Sequence, residues 1–174
     1  MHLLRVRRQL LSINLPDGYR LRVLDEVDST NAEAARIVAQ LAGPEWVLAR
    51  RQTNGRGRRG RAWSDPAGNF AASLVLFPQH PPDQIALRSF VAALALFDAL
   101  VATTGRSDTL ALKWPNDVLL NGGKVAGILL ETTALSGGGF ALTIGFGVNL
   151  VHTPQSSEFE ARAMPPVCVL SETG

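Results

Sequence analysis

The chain has 174 residues, 46 % of them hydrophobic and 18 % charged, with a formal net charge of +2. That length suits one domain with a sizeable core, and the balance of residue types excludes wholesale disorder. The single cysteine, Cys168, excludes an internal disulfide and a multi-cysteine metal site, and His2, His80 and His152 show no metal-ligand spacing.

Met1 to Ser12 mixes arginine with leucine without a continuous apolar stretch, so no signal peptide is expected. The longest apolar segment, Phe90 to Phe97, is too short to cross a bilayer, and a cytoplasmic protein is expected. Leu21 to Val27 reads as a strand. Asp28-Ser29-Thr30-Asn31 then opens an alanine-rich helix to about Leu41, with Ser29 or Thr30 as N-cap and Glu33 in the first turn. Gly43-Pro44 ends that helix, and Trp46 to Arg50 returns as a strand. Phe70 to Phe77 forms another after a turn at Pro66 to Gly68. Pro81-Pro82-Asp83 is expected to open a long apolar helix to about Thr103, buried on most of its surface.

Thr109 to Trp114 alternates, with Leu110, Leu112 and Trp114 on one face and Lys113 on the other. Asp117 to Leu120 and Lys124 to Glu131 are predicted strands joined across Asn121-Gly122-Gly123, a hairpin signal. Phe140 to Asn149 follows a second turn at Ser136 to Gly139. Helices early and hairpins late make an α+β pattern: a mixed, largely antiparallel sheet with its helices packed on one face.

Between the second and third predicted strands, Gly55 to Arg61 packs three glycines and four arginines into seven positions, and Trp63 closes the run. Glycine lets a backbone turn sharply and approach a ligand, and arginine offers a planar fork of donors to phosphate or carboxylate oxygens. Four guanidinium groups this close repel one another, so the loop calls for an anion. Six of the fifteen arginines lie between Arg50 and Arg61, a local positive field that suits a small anionic ligand better than a nucleic-acid track. The chain has only two lysines, Lys113 in Lys113-Trp114-Pro115-Asn116-Asp117 and Lys124 in Gly122-Gly123-Lys124-Val125-Ala126-Gly127. A lysine is a compact point charge that reaches a single oxygen through a narrow opening.

Gly55-Arg56-Gly57-Arg58-Arg59-Gly60 formally matches GxGxxG, but no helix follows it to receive a pyrophosphate. Val125 follows Lys124 where a Walker A loop needs Ser or Thr. Both familiar nucleotide folds are rejected.

Five blocks occur in order: Asp28 to Asn31, Gln52 with Gly55 to Arg61 and Trp63, Lys113 to Asp117, Lys124-Val125-Ala126-Gly127-Ile128-Leu129, and Gly145-Phe146-Gly147-Val148-Asn149. Together they resemble the catalytic domain of bacterial biotin protein ligases over residues 28 to 149. The resemblance implies a two-step reaction. Biotin and ATP with Mg2+ give biotinyl-5′-adenylate and pyrophosphate, and the acyl group then passes to a lysine of a biotin carboxyl carrier domain. It implies Lys124 and Arg58 as catalytic residues, with Ser29, Thr30, Asn31, Gln52, Arg56, Gly57, Arg58 and Lys124 around biotin. Arg58, Arg61, Trp63, Lys113, Asn116 and Asn149 fall to ATP and the adenylate, Asp117 to the acceptor-lysine side, and no residue to a metal. Lys124 would stand as a point charge between the carboxylate and the α-phosphate, with Arg56 and Arg58 on the phosphate side. Helix capping alone would equally account for Ser29 and Thr30, core packing for Trp63, and turn or strand-end capping for Asn116, Asp117 and Asn149.

The rivals are a lipoate protein ligase on the same fold and a nucleic-acid-binding module built on Arg50 to Arg61. A related octanoyl transferase would need a nucleophilic cysteine, and Cys168 lies outside every block. The 27 residues before Asp28 are too few for a winged DNA-binding domain, so no DNA partner is expected. Family members continue past this point with helices and a small β-barrel, so residues 1 to 174 are expected to be a C-terminally truncated catalytic domain. No membrane partner is expected, and a homodimer is left open.

Overall fold

The computed structural model describes residues 14–79, 84–85, 87–154 and 164–174. The expected helix opening at Pro81-Pro82-Asp83 lies outside the described residues, as does Met1 to Ser12. One seven-stranded sheet forms the centre. Its order from edge to edge is β1 (Arg20–Leu24), β2 (Glu45–Ala49), β3 (Phe70–Leu76), β7 (Phe140–Val148), β6 (Gly123–Ala134), β5 (Asp117–Leu120) and β4 (Leu110–Lys113). Only β1 and β2 run parallel; every other neighbouring pair is antiparallel. The turns are set by local sequence. Asn121 and Gly122 take φ of 49° and 78°, the left-handed pair that an Asn-Gly hairpin turn requires.

Helix α1 (Thr30–Ile37) begins as its sequence predicts. Ser29 is extended and its side chain accepts the Ala32 N–H at the N-cap, and Glu33 and Arg36 pair one turn apart. A single 3₁₀ turn at Val38–Gln40 carries the chain on to Leu41. Helix α2 (Arg88–Thr104) ends at Gly105, whose φ is 71° and whose N–H bonds back to Val101. A short helix α3 (Val169–Thr173) closes the described chain.

The mixed, largely antiparallel sheet of an α+β protein is present, but the two longer helices lie on opposite faces rather than one. Helix α1 packs Ala34 and Ile37 on Val47, Val75 and Ala141. Ala92 and Ala93 of α2 pack near Leu142, Ile144 and Ile128, which point the other way on the same strands. Apolar side chains on both faces of a sheet need cover on both. The expectation that α2 is buried on most of its surface is also corrected. Only the stripe of Ala92, Ala93, Leu96, Phe97, Leu100 and Val101 meets the core, and Phe90, Val91 and Leu94 are each 49–59 % exposed. A sheet can cover only the side of a helix that lies on it. Among the described residues no helix is long and apolar enough to cross a membrane.

Candidate functional site

Because β1 and β2 are parallel, the loops that follow them leave the sheet at the same end. Those loops carry the Asp28–Asn31 and Arg51–Trp63 motifs, and the backbone zips them together. Val27 N–H donates to Arg51 O at 3.1 Å, Thr53 N–H to Val27 O at 2.9 Å, and Asn54 N–H to Asp28 O at 2.8 Å. Beside them the face of the sheet holding α1 opens into a cleft of about 650 Å³, a volume suited to a small-molecule ligand.

At one end of the cleft the walls are polar and buried. Thr30 and Asn31 are no more than 5 % exposed although they open a helix. Gln52 Oε1 accepts both the Thr30 N–H (2.8 Å) and the Thr30 hydroxyl (3.2 Å). The Gln52 N–H donates to Asp65 Oδ2 at 3.1 Å, and burial pushes the Asp65 carboxyl above the usual carboxylate range, against the opposing pull of its Gln52 hydrogen bonds. The Ser73 hydroxyl, fully buried on β3, donates to Asn31 Oδ1 at 2.6 Å and lies 2.7 Å from Thr30 Oγ1. The Asn31 amide nitrogen donates to Glu131 Oε2 at 2.7 Å. No side chain fits at Gly145, because a Cβ there would overlap Asn31.

The glycine-arginine loop folds back on itself over this end. Gly57 N–H donates to Arg61 O (2.7 Å) and Trp63 N–H to Gly55 O (2.9 Å), with a tight turn at Arg58–Gly60 between them in which Arg59 is left-handed at φ 57°. Gly55 is required there, since a Cβ would run into the Trp63 carbonyl. Arg56 pairs with Glu131 at 3.2 Å, and Arg58 donates to Asn116 Oδ1 at 3.1 Å. Trp63 lies against Gly127 and Gly147, cross-strand neighbours on β6 and β7 whose missing side chains make room for its ring.

Lys124 reaches the cleft through an irregularity. Counting back from Gly127 by strict alternation would send Lys124 to the face covered by α2. A β-bulge between β5 and β6, where Val118 faces Ala126 but Leu119 faces Lys124, restores it to the cleft face. There Nζ lies 2.7 Å from Asp117 Oδ1, an ion pair rather than an aligned hydrogen bond, and 5.6 Å from the centroid of Trp63. The segment at residues 165–167 clamps the same residue from behind: Lys124 N–H donates to Pro165 O, and Val167 N–H to Lys124 O. Asn149 is buried at the end of β7. Its Nδ2 donates to Val167 O, and its buried Oδ1 has no hydrogen-bond partner among the described residues.

All fourteen residues singled out from the sequence line this one cleft: Ser29, Thr30, Asn31, Gln52, Arg56, Gly57, Arg58, Arg61, Trp63, Lys113, Asn116, Asp117, Lys124 and Asn149. Ser73, Asp65 and Glu131 escaped the sequence reading although they hold site residues in place. Cys168 is buried and hydrogen-bonded to Val151 O and Ser171, away from the cleft. Among the described residues no group of three or more His, Cys, Asp or Glu side chains converges.

Comparison with known proteins fits this geometry. Residues 23–149 match the biotin/lipoate A/B protein ligase family, and the chain belongs to that family. Within it, the chain is similar to the biotin–[acetyl-CoA-carboxylase] ligase of Paracoccus denitrificans, 57 % identical over 152 residues. That match covers 87 % of this chain and 63 % of the relative. The bifunctional ligase/repressor BirA of Escherichia coli is 36 % identical over 139 residues, covering 77 % of this chain and 41 % of that protein. The chain thus spans less than two thirds of the curated relatives it matches. Among solved structures, the Leishmania major biotin protein ligase in complex with biotinyl-5-AMP has a TM-score of 0.73 at 27 % identity. The match covers 90 % of this chain and 65 % of that one. The Aquifex aeolicus ligase in complex with biotin and ATP has a TM-score of 0.70 at 30 % identity, with 88 % and 61 % covered.

Proposed function

We propose that this chain is the catalytic unit of a biotin protein ligase. A carboxylate oxygen of biotin attacks the α-phosphorus of MgATP, the bond to the bridging oxygen breaks, and pyrophosphate leaves with the magnesium it arrived with. The ε-amine of an acceptor lysine then attacks the acyl carbon of the adenylate, AMP departs, and the amine gives up a proton as the amide forms. The acceptor is the lysine of a biotin carboxyl carrier domain, and a cytoplasmic site, where ATP is at hand, suits the reaction.

The observation that carries this reading is the turn of Lys124 by the bulge into the cleft, where it stands beside Asp117 and Trp63. Two anions must meet for the first step, and a preorganised cation at their junction stabilises the charge that builds up there. Asp117 holds the ammonium of Lys124 in place beforehand, and its carboxylate suits a second cationic partner, the acceptor lysine. Arg58 and Arg61 suit the phosphate. Trp63 offers a flat face to adenine, and the buried Oδ1 of Asn149 an acceptor for the purine amino group. Lys113, beside Asp117 in the strand register, suits the outgoing phosphates.

Biotin is favoured over lipoate by the polar end. Ser29, Thr30, Asn31 and Gln52 present donors and acceptors that a ureido ring can satisfy and a dithiolane cannot. A site built on hydrogen bonds rejects an analogue lacking them by orders of magnitude. The liganded relatives from Leishmania major and Aquifex aeolicus support the same choice. The test is exchange of labelled pyrophosphate into ATP in the presence of biotin, lipoate or octanoate. Exchange with biotin alone is expected. Exchange driven equally by lipoate would transfer the protein to the other branch of its family.

A further inference from the structure

Glu131 does not line the cleft, yet its carboxylate ties together two parts of the wall that are far apart in sequence. Oε2 accepts from the amide of Asn31 on α1 at 2.7 Å and from the guanidinium of Arg56 in the loop at 3.2 Å. Oε1 lies 3.4 Å from the same arginine nitrogen. The other neighbour of the Asn31 nitrogen is the Leu129 carbonyl at 3.4 Å, so two acceptors fix which way that amide points. Its oxygen is thereby turned to Ser73, which also lies against Thr30, and Thr30 bonds Gln52. One chain of polar contacts therefore runs from the arginine loop through Glu131 to the floor of the cleft.

We propose that Glu131 is a positioning residue that holds the Arg56 loop over the acyl end of the cleft by acting as a built-in anion for it. The consequence for biotin rests on the ligase reading; the consequence for the loop does not. Among four clustered arginines, a carboxylate on the rigid β6 strand offsets charge repulsion before any ligand arrives. A glutamine has nearly the same shape but only one acceptor oxygen. With donors converging from both Asn31 and Arg56, its NH2 must face one of them.

The experiment compares wild type, Glu131→Gln, Arg56→Met and the double variant by trypsin cleavage without ligand and by calorimetric titration with biotin. Glu131→Gln should speed cleavage within residues 56–61 about tenfold and weaken biotin about tenfold. Its unfolding midpoint should stay within a few degrees of wild type, as for loss of one partly exposed pair. The double variant should bind biotin no worse than the weaker single variant, because both substitutions break one link. Unchanged cleavage, or single losses that multiply in the double variant, would each overturn the proposal. A wild type that fails to bind biotin would sink the ligase reading while leaving the cleavage comparison to decide the role of Glu131 in the loop.

Discussion

At the scale of single residues, the proposed chemistry turns on Lys124. Arginine carries the positive charge almost everywhere else, and lysine stands where a compact head must fit between Asp117, Trp63 and Gly127. Lys124→Arg keeps the charge but brings a planar head too large for that point. It should cut adenylate formation by about two orders of magnitude, in line with the loss of one preorganised stabilising group. Single-turnover quench experiments check this, and near wild-type adenylation would remove Lys124 from the role. The lysine itself was legible as a rarity in the sequence; its direction was not, because alternation points it to the wrong face and the bulge is a property of the pairing. Ser73 and Glu131 were illegible for a related reason. Ser73 sits in a run that reads as core strand, and its partner Asn31 is 42 residues away. Glu131 meets residues 100 and 75 positions distant. Contacts of that range exist only once strand order is known.

At the scale of elements, the arginine loop and the start of α1 act as two jaws. The loop is closed by its own hydrogen bonds and by Glu131 and Asn116, so Arg58 can swing from an amide partner to a phosphate without unfolding the turn. Arg58→Gly should therefore loosen the adenylate more than it loosens biotin. One lost charge-assisted contact costs about 1.5–3 kcal/mol, or roughly one to two decades in dissociation rate. Released adenylate acylates lysines of any protein nearby. Incubation with biotin, ATP and an unrelated lysine-rich protein, followed by a biotin blot, should show the bystander labelled. An unlabelled bystander alongside continued adenylate synthesis would pass the latch role to Arg56 or Arg61.

The other jaw is clamped at Asp28, whose carboxylate receives Arg36 through two hydrogen bonds of 3.0 and 2.6 Å and the Ser29 N–H at 2.8 Å. The Arg36 hydrogen bond leads in lowering the Asp28 pKa from 3.8 to about 2. A depressed carboxylate pKa means the clamp contributes fully above pH 3.8 and is lost as pH falls toward 2. Both side chains are about half exposed, so the effect on global stability is small. An NMR titration of the Asp28 carboxyl should give a midpoint near 2. A midpoint at the ordinary value would mean that the pair does not form in solution.

At the scale of the whole molecule, the parallel β1–β2 pair gathers two motif loops at one end of an otherwise antiparallel sheet, and the β5–β6 hairpin brings the lysine motifs up beside them. Sheet class and hairpins could be read from alternation and from Asn121-Gly122, since both are local signals. Which face each helix covers could not, because it depends on the whole strand order, and α1 and α2 divide the faces between them. That division leaves the cleft open on the α1 side, where five separate sequence blocks converge.

The central claim is that this cleft joins biotin to AMP. The most direct measurement is to mix the protein with biotin and MgATP and look for biotinyl-5′-adenylate by mass spectrometry of the protein-bound fraction. Stoichiometric adenylate retained on the protein is expected, absent when biotin or ATP is withheld and nearly absent with Lys124→Arg. Bound biotin and intact ATP with no adenylate would contradict the claim.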